Sequence, residues 1–414
     1  LFEDFPNKAG VGNAALLPSL RSPPAGRWEE TSNKRPILTP PFNTQAKRLA
    51  SVQVRRKVSR ADGTQGDLYR YAFVGNANLK AVGYHTAGAI ERSDALVDLV
   101  VPAPVAGPRD LIVRIKAVSV NPVDTKVRAG VNPPAGTARI LGYDACGVVE
   151  AVGPDVTLFK PGDPVFYAGD ITRPGTNAEL HVVDERIVGP KPDSIDWAEA
   201  AALPLTSVTA WEALFDRLDI RHAVPGANAI LIIGSGGVGA MAIQLARALT
   251  DLVVVTTAAL PEGGDRVRSL GADQVIDFRL PLADEFAKLG IDAPAFVFST
   301  THTDEHLPEI AKLIAPQGRL ALIDDPSSLD IVSLKSKMIS VHWEYMFGRA
   351  MYQTADMAQQ HALLTEVTRL VDAGRIVSTV GERLSPINAA TLRLAHARVE
   401  SGMARGKIVV EGWA

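Results

Sequence analysis

From Ala229 the chain runs apolar (AILII), breaks into GSGGVG, resumes as AMAIQLARAL with apolar side chains at helical spacing, and closes on a β-branched run, LVVVTT. The period passes from strand to helix to strand within about thirty residues. Further strand-like segments follow at 274–276, 295–298, 320–323 and 339–342, with helical spacing between them, as over 305–313. Such alternation predicts an α/β fold: a doubly wound parallel sheet with its ligand at the carboxyl ends of the strands.

Before this unit the period is two. Residues 111–120 (LIVRIKAVSV) alternate as a half-buried strand does, 146–152 (CGVVEAV) is another strand-like run, and Gly- and Pro-rich loops separate them. A β-rich, barrel-like domain is therefore expected over about 79–205. After the alternating region, 355–374 and 387–402 read as two helices and 407–410 as a last strand. Their simplest home is back on the first domain, which makes that domain discontinuous. Residues 1–78 carry proline clusters (Pro23-Pro24, Pro40-Pro41) and little periodicity, and are expected to be disordered.

The glycines of the central turn have separate tasks. Gly234 lets the chain turn sharply, Gly236 leaves room for a diphosphate, and Gly239 lets helix approach strand. With Gly237 and Val238 they open a helix whose free N–H groups and positive dipole end suit an anion. A plain turn between core elements does not need three glycines at this spacing.

Composition narrows the partners. The chain has 414 residues, 46% hydrophobic and 21% charged, with a formal net charge of -3. No basic footprint calls for nucleic acid, and no run of about eighteen apolar residues calls for a membrane span. A small-molecule substrate remains. Cys146, the single cysteine, can form neither an internal disulfide nor a multi-cysteine zinc site, which suits a reducing compartment and a cytoplasmic protein. In its apolar strand it reads as a buried small hydrophobe. His302 and His306 lack the His-Glu-x-x-His order and read as a solvated helix start.

From about 79 to the end, the chain resembles the medium-chain dehydrogenase/reductase superfamily, in its quinone-oxidoreductase-like branch, whose members are often labelled zinc-type alcohol dehydrogenase-like. The resemblance rests on KAVGYHTAG (80–88), VSVNPVDTKVR (118–128), GYDACGVVEAVG (142–153), AALPLTSVTAWEAL (201–214), the glycine loop, APQGRLALIDDP (315–326), HWEYMFGRAMYQT (342–354) and GKIVVEG (406–412). It implies a GroES-like catalytic domain over 79–205 and 346–414 and a Rossmann dinucleotide-binding domain over 206–345. Relatives begin with a methionine where Leu79 stands, so translation is expected to start there, leaving 1–78 as an upstream extension. The resemblance also implies a homodimer with sheets joined edge to edge through the strand near Ile339.

In the zinc-dependent branch a cysteine ligand stands where this chain has Asn121 and a histidine ligand where it has Tyr143. With those replaced and the structural four-cysteine lobe missing, no zinc is expected. An acceptor reduced without a Lewis acid must already be activated, as quinones and α,β-unsaturated carbonyls are. The expected function is hydride transfer from a nicotinamide cofactor to such an acceptor. Asn121 and Tyr143 are the candidate donors to its oxygen, with Asp124 orienting them or touching the nicotinamide ribose. Alternatively, Asn121-Pro122 is a turn and Tyr143 a packing residue. His342, Tyr345, Met346 and Phe347 either line an apolar pocket or belong to core or interface. At the end of the second Rossmann strand stand Thr257, Ala258 and Ala259, with no carboxylate for a ribose 2′-hydroxyl, which favours NADPH over NADH and leaves Arg266 or Arg268 to hold a 2′-phosphate. The resemblance places Thr206, Thr209 and Lys407 near the cofactor, Lys407 as a phosphate countercharge or simply as a surface lysine. The other readings are a zinc-dependent alcohol dehydrogenase and an NADPH-binding redox sensor without turnover.

Overall fold

The computed structural model describes residues 54–59, 65–70, 78–259, 262–402 and 404–413. The expectation for 1–78 falls almost wholly outside them. Within that stretch β1 (Val54–Ser59) and β2 (Gln65–Arg70) form an antiparallel pair.

The apolar run at 229 is the middle of a six-stranded sheet. Its members are β11 (Ala229–Ile233), β12 (Val253–Ala258), β13 (Gln274–Asp277), β14 (Phe296–Ser299), β15 (Arg319–Leu322) and β16 (Ser340–Trp343), in the order β13-β12-β11-β14-β15-β16. Every pairing is parallel. All of β11 is buried because both faces are covered: Ile230 and Ile232 feed one core, and Ala229, Leu231 and Ile233 the other. The first core takes Met241, Ile243 and Leu245 of the helix Gly237–Leu249, and the second takes Leu307, Ile310 and Leu313 of the helix Thr303–Leu313. Strand order reverses between β11 and β14, so the glycine turn leaving β11 lies at the topological switch point.

The period-two segments build two antiparallel sheets. In the smaller, β3 (Leu79–Tyr84) lies between β4 (Val97–Val101) and β6 (Arg139–Ile140). In the larger, β5 (Asp110–Val120) pairs β7 (Ala145–Val152) and β9 (Leu180–Asp184), with β8 (Pro164–Tyr167) and β10 (Gly189–Pro190) beyond β7. The chain's last strand, β18 (Lys407–Glu411), returns to pair antiparallel with β5, and β17 (Val380–Leu384) lines up parallel beside it. The closing part of the chain therefore belongs to the sheet of its early part, and Lys407 arrives opposite the end of β5.

Two details bear on the site. The helix α1 (Pro122–Gly130) opens with proline at its first position, where no N–H is needed, and Asp124 accepts from the Asn121 N–H at 2.8 Å. After α2 (Trp197–Ala201), α3 (Pro204–Trp211) runs directly into a π-helical turn, Glu212–Arg217, which periodicity did not foretell.

Candidate active site

The glycine loop is open where an anion would lie and crowded elsewhere. Gly234 has φ +93, which favours glycine, and its N–H donates to the Thr257 hydroxyl at 2.9 Å. A Cβ on Gly239 would lie 1.8 Å from the Gly234 carbonyl oxygen, so the helix α4 (Gly237–Leu249) can start this close to β11 only with glycine there. A Cβ on Gly236 would meet nothing within 4 Å, and Gly236 is exposed. Such open backbone at a helix N-terminus fits a dinucleotide diphosphate. Val238 is half-buried against the core. Arg266 reaches the loop from the helix α5 (Glu262–Ser269) and donates to the Ser235 carbonyl at 3.2 Å. Arg268 instead faces Asp265 at 3.6 Å.

Beneath the loop, Thr206 and Lys407 meet it from below. A Cβ on Gly237 would stand 3.1 Å from Thr206 Cγ2 and 3.3 Å from Lys407 Cδ. The hydroxyls of Thr206 and Thr209 are committed to their own helix, donating to the Leu203 and Leu205 carbonyls. Lys407 is only 5% exposed, which sets aside the surface-lysine alternative. Its ammonium donates to Asp144 Oδ2 at 3.0 Å, to the Asn121 amide oxygen and to the Val120 carbonyl.

These contacts tie Asn121, Asp124, Asp144 and Lys407 into one buried network. Asp144 accepts from Asn121 Nδ2 at 2.9 Å and from the Leu205 N–H at 2.8 Å, besides Lys407. Asp124 accepts from the N–H groups of Asn121 and Gly142 at 2.8 and 3.0 Å. Burial pushes Asp124 up to about 7, against the N–H of Asn121 and the charge of Lys407, and pushes Asp144 up against the charge of Lys407. Asn121 is thus a structural tie: its amide serves Asp144 and Lys407 rather than standing free for an acceptor. Asp144, which the sequence reading passed over, is the hub. Its one signal was its place beside Tyr143.

Tyr143 behaves differently. It is fully buried, its ring meets Phe347 edge-on at 5.3 Å, and its hydroxyl finds no acceptor among the described residues, its polar neighbour being the Arg139 guanidinium. Burial pushes the phenol up to about 12 although the Arg139 guanidinium beside it pulls the other way, so it is protonated at neutral pH. Phe347 in turn meets Tyr345 at 5.6 Å, and Tyr345 is half exposed, giving an aromatic wall from interior to surface. Met346 is buried with Phe347, and the Nε2 of half-buried His342 has no partner among the described residues.

Residues 107–193 match the alcohol dehydrogenase GroES-like domain, and residues 270–410 match the zinc-binding dehydrogenase family. A zinc-type alcohol dehydrogenase-like protein of Staphylococcus aureus strain MSSA476 is 35% identical over 336 residues, covering 80% of this chain and 99% of its own. The chain belongs to the medium-chain dehydrogenase/reductase superfamily. Human mitochondrial NAD(P)H oxidoreductase RTN4IP1 is 31% identical over 73% of this chain and 82% of its own. Among solved structures, a Rhizobium etli CFN 42 protein provisionally described as a zinc-dependent alcohol dehydrogenase is 60% identical, with TM-score 0.80 over 81% of this chain and 99% of its own. A quinone oxidoreductase of Pseudomonas syringae pv. Tomato DC3000 is 26% identical, with TM-score 0.68 over 80% of this chain and 99% of its own. This chain is an oxidoreductase of that superfamily, for which a nicotinamide cofactor is expected.

The relatives' names raise zinc, so the donors at its place decide the fit. They are an amide engaged at both ends, an ammonium, a protonated phenol and the hydrogen-bonded carboxylates of Asp124 and Asp144, with neither thiolate nor imidazole among them. Among the described residues no cluster of His, Cys, Asp and Glu is arranged to hold a metal ion. His302 accepts or donates locally to the Thr301 hydroxyl at 2.6 Å.

Proposed function

We propose that this chain is a zinc-independent, NADPH-preferring oxidoreductase that reduces quinones or α,β-unsaturated carbonyls. One observation carries the reading: a buried phenol, protonated and without an acceptor among the described residues, stands where a zinc-dependent relative would place a metal ligand. When bound, the nicotinamide supplies the hydride. Tyr143 donates to the oxygen on which charge develops, which suffices for an acceptor whose anion is already delocalised. The Asn121–Asp144–Lys407 network holds the cleft floor against the glycine loop. Arg266, exposed at the loop and free of any carboxylate within ion-pair distance among the described residues, is placed to meet a 2′-phosphate, which supports NADPH over NADH. The single cysteine suits a reducing compartment such as the cytoplasm.

The test is the rate of NADPH and NADH oxidation with 1,4-benzoquinones, enones and simple aldehydes, alongside metal analysis. Chelator-resistant turnover of quinones or enones with NADPH preferred is the expected result. About one zinc per chain with chelator-sensitive alcohol or aldehyde turnover would replace this reading by a zinc-dependent alcohol dehydrogenase. Tight NADPH binding without oxidation by any acceptor would leave a redox sensor.

A further inference from the structure

Arg139 has no role in the network just described, yet its guanidinium lies beside the Tyr143 hydroxyl. It stands on β6, paired in register with Tyr84 of β3, and is only partly exposed. Its Nη2 donates to the Ile171 carbonyl at 3.0 Å, its guanidinium also faces the Tyr143 hydroxyl, and no carboxylate of the described residues lies within ion-pair distance. Arg173, Arg186 and Arg349, also partly covered, each meet a carboxylate, at 2.8 Å in every case. A guanidinium offers five donors in a fixed fork, and those of Arg139 not turned to the Ile171 carbonyl or the Tyr143 oxygen meet no acceptor among the described residues. The Tyr143 hydroxyl next to it is a further donor without an acceptor. A half-buried cation and a buried hydroxyl, both wanting oxygen and walled by the rings of Tyr143, Phe347 and Tyr345, make a receptor for an anionic group on an unsaturated, planar molecule.

We propose that the acceptors of this enzyme carry a carboxylate conjugated to the reducible system, and that Arg139 binds that carboxylate while Tyr143 donates to the carbonyl. The inference rests on the enone or quinone reading above. In the enone case the β-carbon gains a C–H bond with hydride from the nicotinamide, and the C=C π pair moves to the carbonyl oxygen held by Tyr143. A proton from solvent then completes the α-carbon. The alkene is reduced, NADPH is oxidised to NADP⁺, and the carboxylate is unchanged. Arg139 is a specificity-determining residue in this scheme.

The probes are trans-4-oxo-2-pentenoate and its methyl ester, which differ in the charge Arg139 would meet. The wild-type chain is expected to favour the acid in kcat/KM by about tenfold or more, as a hydrogen-bonded ion pair allows. In Arg139→Met this preference collapses towards unity, with the loss on the acid carried by KM, and Arg139→Lys restores part of it. Binding of the saturated acid 4-oxopentanoate, followed by thermal shift, disappears in Arg139→Met. NADPH titration and circular dichroism of each variant show that the fold survives. Equal loss on acid and ester, or a wild-type preference for the ester, overturns the proposal. If the ester and neutral quinones are reduced but the acid is not favoured, this inference falls alone. If no acceptor is reduced, it falls together with the functional reading.

Discussion

At the scale of single residues the site separates side chains that hold structure from those left to do chemistry. Tyr143 carries a buried hydroxyl with no acceptor among the described residues, so Tyr143→Phe removes an unsatisfied donor and should leave the melting temperature unchanged or slightly raised. The same change should lower kcat on an enone by about a hundredfold with little change in KM, the mark of a donor felt in the transition state. Steady-state kinetics beside a thermal melt test both halves, and a folded variant with unaltered kcat would remove Tyr143 from the mechanism. Lys407→Met should do the opposite. It leaves Asp144 buried without its cation, a loss of about 3–5 kcal/mol in denaturant unfolding. Cys146 is buried and its thiol is pushed up by burial, so it should resist iodoacetamide in the native protein and react only after unfolding.

At the scale of elements, the strand–glycine–helix unit makes two substitutions diverge. Gly236 has negative φ and open space about its Cα, so Gly236→Val should fold with an unaltered melt yet block the diphosphate, weakening NADPH binding by about a hundredfold or more. Gly239→Ala drives a methyl group against the Gly234 carbonyl and should destabilise the fold by about 1–3 kcal/mol or more. Fluorescence titration and thermal denaturation of the pair distinguish a ligand cradle from a packing contact; equal effects would deny the distinction. This unit was legible in the sequence because all its information lies within one short stretch, and its glycines act on near neighbours. Strand and helix ends were displaced by a residue or a few, as at Ser340–Trp343 and Gln359–Asp372, because end residues are set by hydrogen bonds that periodicity does not contain. The Asp144–Lys407 bond joins residues 263 apart and has no local pattern to betray it. Which way the Asn121 amide is spent depends on a partner from the far end of the chain, Lys407.

At the scale of the whole molecule, β16 ends the parallel sheet with one side unpaired among the described strands, and exposed Trp343, Met338 and Val332 lie near it. We propose that a second copy pairs there, giving a dimer whose sedimentation should revert to monomer when a proline replaces Val341. Directly after β16, Glu344 turns inward toward Glu212 of the π-helical turn, with Arg217 at 3.0 Å, and Glu212 meets Arg349 and Gln360 at 2.8 and 3.1 Å. Burial, then the neighbouring Glu212 carboxylate, holds Glu344 well above the ordinary carboxylate range, so the folded chain keeps a proton there that the unfolded chain releases. The folded acidity being the weaker, the stabilising contribution is complete below the unfolded value near 4.5 and is lost progressively as pH rises from there toward the folded value. Glu344→Gln imitates the protonated side chain at every pH. Its melting temperature should lie close to wild type at pH 5 and pull ahead as pH rises through 7 and 8. Asp124, also pushed up by burial, tilts both curves alike, so the widening gap belongs to Glu344. Parallel curves across that range would mean that Glu344 is already ionised in the folded protein and that Arg217 answers it as a true ion pair.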